Sequence, residues 1–193
     1  MDTALEIAGF LLGILYLWWE YNADRRVWLA SMIMPAISMW LYFSKGIYAD
    51  FAINIYYLVI AVYGYMAWKH GGTNRKEKKP LKISHVPAGV CAGAIGATVL
   101  LWLLLAWILK SFTDSTVPYA DGFTTALSIV GMWMMARKYA EQWIAWFIVD
   151  AVSTFLYAYK GLVLYPILYA AYTVISIFGY RKWLMLMKNE DNK

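Results

Sequence analysis

The sequence predicts an all-α membrane protein whose seven transmembrane helices are arranged three plus one plus three, with two parallel three-helix repeats. Three observations predict it. The 193 residues are 62% hydrophobic and only 15% charged, with a positive mean hydropathy, a balance that soluble domains of this size do not show. The apolar segments have bilayer length and are too long and uniform for the strands of a membrane barrel. Shifting the chain by 115 residues lays one half on the other.

Requiring about 17 to 25 mostly apolar residues per span gives helices over 4–21, 27–43, 49–69, 87–110, 119–138, 142–160 and 162–187. The first has Asp2 before it and Glu6 within it rather than a basic flank, so it reads as a span and not as a cleavable signal. Residues 1–69 form the first three-helix bundle, and 70–86, HGGTNRKEKKPLKISHV, an exposed basic linker on the cytoplasmic side. Residues 87–118 carry the fourth, linking helix, and 119–193 the second bundle with a cytoplasmic tail. Gly89, Gly93 and Gly96 on the fourth helix offer a close-packing edge suited to a homo-oligomer. Cys91 is the only cysteine and lies in an apolar run, which excludes an intrachain disulfide, a thiolate cluster or a Cys–Cys redox pair.

The net charge of +5 lies in the loops, without the basic face and reader fold that nucleic acid needs. It reads as topology. Alternating sides from the first helix, one side collects Arg25, Arg26, Lys69, Arg75, Lys76, Lys78, Lys79, Lys82, Arg137, Lys138, Arg181, Lys182, Lys188 and Lys193, and the other only Lys45, Lys110 and Lys160. By the positive-inside rule the C-terminus and the linker are cytoplasmic and the N-terminus is outside. A basic loop of this kind also suits anionic lipid.

At the offset of 115, Trp28 meets Trp143, Ser38 meets Ser153, Tyr42 meets Tyr157 and Lys45-Gly46 meets Lys160-Gly161. Tyr57 meets Tyr172, Gly64-Tyr65 meets Gly179-Tyr180, and Trp68 meets Trp183. Over 28–68 there are 15 identities in 41 positions, more than shared apolar composition produces. The copies are displaced by four spans, an even number, so they insert in the same direction. Parallel repeats are a transporter architecture with the substrate site near the bilayer midplane between the halves. Function should lie where the copies differ: Pro35 faces Asp150, Ser31 faces Trp146, Asn54 faces Tyr169 and Ala61 faces Ser176.

Asp150 is a carboxylate at the midpoint of an apolar span. A charge there costs about 2.5 to 3.5 kcal/mol on insertion scales, so it turns to a bundle interior or cavity and carries function. Spacings of 3, 4, 3 and 4 put Trp143, Trp146, Asp150, Ser153 and Tyr157 on one helical face. The same spacing joins Asn54, Tyr57, Ala61, Gly64 and Trp68, and again Tyr169, Tyr172, Ser176, Gly179 and Trp183. Four such faces would enclose a chamber of rings and small polar groups around one acid, suited to a flat organic cation. The candidate substrate contacts are therefore Trp143, Trp146, Asp150, Asn54, Tyr57, Tyr157, Tyr169, Tyr172 and Ser176. No cofactor or metal site is read.

With these residues in view, the chain resembles the PnuC family of bacterial vitamin transporters over nearly its whole length. The resemblance is carried by ALSIVGMWMMARKYAEQWIAWFIVDAVS over 126–153, above all Arg137-Lys138-Tyr139, Glu141 and the WxxW of Trp143 and Trp146, with Tyr63, Gly64, Trp68, Gly179 and Trp183. It implies a fold similar to the SWEET sugar transporters and a site in the bacterial inner membrane. It also implies facilitated diffusion of an unphosphorylated vitamin, nicotinamide riboside, or thiamine or riboflavin in related branches, trapped afterwards by a cytosolic vitamin kinase. The resemblance further implies that Trp143 and Trp146 stack on the substrate ring and that Asn54 is the polar contact of the third helix. Asp150 stands where an amide is expected, Asn54 where a longer glutamine is, and Ala61 where a second amide is. A carboxylate favours a cation, and lost amides weaken the case for ribose hydroxyls. Thiamine is therefore slightly preferred to nicotinamide riboside, and neutral riboflavin fits worst.

Other classes fit less well. A retinal photoreceptor needs a lysine within the last span, and 162–180 has none. An intramembrane enzyme needs a nucleophile, a metal set or a second buried carboxylate beside Asp150; none is read, and His70 and His85 flank the linker as solvated surface. A proton-coupled carrier of the same cation is the remaining rival, with Asp150 as proton site. The chain has no phosphate-binding glycine loop for nucleotide-driven pumping.

Overall fold

The computed structural model describes residues 2–44, 48–71, 81–161 and 164–191. Seven helices make up the described chain: α1 Asp2–Tyr21, α2 Val27–Ser44, α3 Tyr48–His70, α4 Ala88–Phe112, α5 Pro118–Ala136, α6 Gln142–Tyr159 and α7 Leu164–Asp191. The expected spans differ only by a few residues at their ends. Two ends follow from proline: Pro87 is extended just ahead of α4, and Pro118 opens α5, where its missing N–H costs no helical bond. Helix α2 runs on through Pro35. Among the described residues only α4 is long and apolar enough to cross a bilayer by length and composition alone. The other six dilute their aliphatic residues with Trp, Tyr and small polar groups.

The repeat is present in the backbone. Helices α1 and α5 end at Tyr21 and Ala136, α2 and α6 begin at Val27 and Gln142, and these end at Ser44 and Tyr159, each pair 115 residues apart. The turns repeat too. Ala23 and Lys138, again 115 apart, both adopt left-handed backbone, with φ of 51° and 55°. Their N–H groups bond equivalent carbonyls, Glu20 O at 3.0 Å and Met135 O at 2.9 Å. That conformation costs an L residue about 1 to 2 kcal/mol. Two non-glycine residues accept it at matching positions, so the helices on either side set the turn. Lys45, Gly46, Arg75, Lys76, Lys78, Lys79 and Lys193, used in the repeat and charge arguments, lie outside the described residues, as do the side chains of Ser38 and Tyr42.

The chain divides into two compact units, 1–82 and 83–193, so α4 goes with the second triplet. In the first unit α2 packs on both α1 and α3; in the second α4 packs on α5, α5 on α6 and α6 on α7. The close approach of α4 is made by Ala106 on Gly122, where an added Cβ would sit 2.9 Å from the Ala106 nitrogen. Gly89, Gly93 and Gly96 make no such contact among the described residues.

A short strap completes the second unit. Ser84 pairs in parallel with Tyr139 across the α5–α6 turn, through Ser84 N–H to Lys138 O at 3.1 Å and Ala140 N–H to Ser84 O at 3.0 Å. Ile83 N–H donates to the Glu190 carboxylate of α7 at 3.1 Å, and Val86 N–H to Glu141 at 2.9 Å. His85 Nδ1 lies 2.6 Å from the other Glu141 oxygen, so His85 is exposed but not purely solvated. Burial beside this strap holds the Lys138 ammonium below the ordinary lysine range, with Glu190 acting in the opposite direction.

Candidate functional site

The stripe read from spacing is the buried stripe of α6. Trp143, Asp150 and Ser153 are buried and Trp146 and Tyr157 half-buried, whereas Ile144, Phe147, Ile148 and Phe155 on the other side are exposed. Asp150 is 7% exposed. Its Oδ2 accepts a long hydrogen bond from Ser176 Oγ of α7 at 3.5 Å, and its backbone oxygen accepts from Thr154 Oγ1 at 2.8 Å. Among the described residues the carboxylate makes no ion pair. A buried acid met only by one distant hydroxyl retains most of its attraction for a cation.

The two tryptophans of the WxxW pair turn to different helices. Trp143 is 2% exposed and crosses Trp183 of α7 edge to face, with centroids 6.1 Å apart. Its indole lies where a side chain at Gly179 would be, since an added Cβ would come 2.6 Å from Trp143 Cδ2. The first unit repeats this: Trp28 meets Trp68 at 5.5 Å and fills the space beside Gly64. The ring of Trp143, for which the resemblance implied stacking on substrate, is thus occupied in joining α6 to α7. Trp146 leans toward α5, where a Cβ at Gly131 would touch it at 3.8 Å. Among the described residues the buried Nε1 atoms of Trp28, Trp143 and Trp146 have no hydrogen-bond partner.

On α7 the predicted face divides along its length. Ser176, Gly179 and Trp183 are buried against α6, while Tyr169 and Tyr172 are half-buried. Tyr157 of α6 stacks on both Tyr165 and Tyr169, at 5.3 and 5.1 Å with rings inclined by 27° and 12°, and Tyr169 meets Tyr172 edge-on at 6.1 Å. Asp150 is within electrostatic range of the Tyr169 and Tyr172 phenols. The structure therefore brings Asp150, Ser176, Tyr157, Tyr169 and Tyr172 together. Asn54 and Tyr57 lie half-buried on α3 of the first unit, Tyr57 beside Tyr56 at 5.7 Å, and Ala61 below them is fully buried.

A further buried carboxylate lies in the first unit: Glu20, at the end of α1, is 3% exposed and hydrogen-bonds Tyr16. In sequence it sits beside Tyr21 and Asn22 and reads as a helix end reaching water. The signal that could have found it is its repeat partner, Met135, a residue suited to a core. Among the described residues no three His, Cys, Asp or Glu side chains come together as a metal set.

The model of the family described as nicotinamide mononucleotide transporter matches residues 3–185. The chain belongs to that family. It is a multi-pass membrane transporter and not an enzyme. Within the family it is 26% identical over 204 residues to the nicotinamide riboside transporter PnuC of Escherichia coli (strain K12), covering 93% of this chain and 84% of that one. It is 26% identical over 207 residues to the nicotinamide riboside transporter PnuC of Neisseria mucosa, covering 100% and 76%. The riboflavin/roseoflavin transporter RibM of Streptomyces davaonensis is 20% identical over 187 residues, covering 96% and 87%. In fold, the chain is similar to the crystal structure of the vitamin B3 transporter PnuC, with a TM-score of 0.70 and 23% identity over 97% of this chain and 83% of that one.

Proposed function

We propose that this chain imports nicotinamide riboside across the bacterial inner membrane by facilitated diffusion, with phosphorylation by a cytosolic kinase making uptake one-way. The observation that carries the proposal is Asp150, a buried carboxylate without an ion pair among the described residues, set on a face of aromatic rings. Such a site is incomplete without a cation, and the pyridinium of the riboside is flat and carries a fixed positive charge. Cation–π contact with a desolvated ring adds about 2 kcal/mol to its binding. Trp146, Tyr169 and Tyr172 are the rings available to it, and Trp143 acts by holding α6 on α7. The N-terminus is proposed to lie outside and the strap, linker and C-terminus in the cytoplasm.

The slight preference for thiamine gives way. It rested partly on the missing amide at position 61, but Ala61 is fully buried, so that position is weak ground for reading the substrate. Two of the relatives above are nicotinamide riboside transporters by name. The deciding experiment is accumulation by purified protein in liposomes that contain the matching vitamin kinase. Nicotinamide riboside is expected to accumulate, and to do so equally after the proton gradient is collapsed. Accumulation of thiamine or riboflavin without nicotinamide riboside overturns the proposal, and loss of uptake with the gradient makes Asp150 a proton site.

A further inference from the structure

At the end of the second unit remote from the α5–α6 turn, α6 stops at Lys160, the C-cap, followed by Gly161 with φ of 75°. The Lys160 ammonium bonds both oxygens of Asp121 on α5, at 2.9 and 3.2 Å, and Ser115 Oγ donates to the same carboxylate at 2.8 Å. The same ammonium sits over the Tyr157 ring, 5.6 Å from its centroid. Tyr157 stacks on Tyr169, which meets Tyr172 edge-on, and the Asp150 carboxylate is within electrostatic range of both Tyr169 and Tyr172. Tyr165, the other ring on Tyr157, is half-exposed. Two carboxylates thus bracket a run of contacting phenols, and a tethered cation already lies over Tyr157 within that run.

That arrangement suits a flat aromatic monocation and carries a built-in competitor. Stacked phenol faces attract any aromatic ring, and they attract a cationic one more strongly through the ring quadrupole. Lys160 need not stay over Tyr157, because Asp121 already holds its ammonium. We propose that the tyrosine series from Tyr165 to Tyr172 is a transit site for flat aromatic monocations, and that an entering cation displaces the Lys160 ammonium from Tyr157, leaving it on Asp121 alone, before passing to Asp150. The proposal rests on the reading that the substrate is such a cation, and extends it to a route and a gate.

The test is made first without any vitamin. Full-length protein in detergent is treated with an amine-reactive ester, and the modification rate of Lys160 is followed by mass spectrometry with and without N-methylpyridinium. N-methylpyridinium is expected to raise the Lys160 rate several-fold in the wild type and in Tyr157→Phe but not in Tyr157→Leu, and neutral nicotinamide is expected to leave it unchanged. No change with N-methylpyridinium, or an equal change with nicotinamide, overturns the proposal. In liposomes, Lys160→Met removes the competing charge and is expected to lower the half-saturating concentration for nicotinamide riboside several-fold; an unchanged or higher value counts against the gate. Wild-type uptake with an insensitive Lys160 defeats this inference alone. A Lys160 that responds to N-methylpyridinium in a protein that takes up no vitamin defeats the substrate reading and leaves the cation site standing.

Discussion

The α1–α3 and α5–α7 segments duplicate their packing and diverge in their charges. Each locks its second helix onto its third with the same three residues, Trp28, Gly64 and Trp68 in one and Trp143, Gly179 and Trp183 in the other. Each turns from its first helix to its second through a left-handed residue. The buried acids, however, are not equivalent. The first bundle has Glu20 where the second has Met135, and the second has Asp150 where the first has Pro35, both members of each pair being buried. The clamps on the turns differ as well: Arg26 pairs with Asp24 in the first, whereas Glu141, its counterpart, takes Val86 N–H and His85 in the second. Duplication preserves what packing requires, and polar chemistry is left to one copy at a time.

The largest effect that sharpens this comparison is expected at the glycines. Gly64→Ala and Gly179→Ala each push a methyl into a buried indole and should destabilise by about 1 to 3 kcal/mol, read as matched falls in thermal unfolding of the detergent-solubilised protein. A loss at one glycine only would break the structural equivalence. Next comes Asp150→Ala, expected to weaken substrate binding by about 1 to 2 kcal/mol in calorimetry, with Pro35→Ala close to wild type; equal losses would make the acid incidental. Trp146→Ala should weaken binding on the same scale, whereas Trp143→Ala should lower unfolding temperature first.

Smaller effects separate the two turn clamps. Glu141→Gln keeps the size of the side chain but weakens its bonds to Val86 and His85, and should cost about 1 kcal/mol of stability with affinity retained. The smallest is Asp24→Asn. Hydrogen bonds from Arg26 hold the Asp24 carboxyl below its ordinary range, so its contribution is present above that range and lost as pH falls through the depressed folded value. The difference between Asp24→Asn and wild type should therefore close in acid, and a gap that widened there would assign Asp24 another role.

Much of this was readable before any coordinates. Period and length placed the seven helices, and the offset of 115 residues carried over to helix ends and turn hydrogen bonds. The 3-4-3-4 spacing picked out the buried side of α6 with Asp150 on it. Less was readable where contacts join distant parts of the chain. Ile83 and Glu190 are 107 residues apart, and no local pattern announces their hydrogen bond. The glycines of α4 looked like its packing edge, but the close approach went to Ala106 and Gly122, because which small residues meet depends on how two helices cross.

The amino-acid order by itself determined the helices, their duplication and the buried face of α6, since these follow from periodicities that act within a single segment. Only the tertiary structure decided how the rings and acids are used. Trp143 is committed to Gly179 and Trp183, Tyr157 stacks beneath Lys160, and Glu20 is enclosed. A helical face lists its candidates, but the neighbouring helix, by what it fills and what it leaves open, assigns their roles.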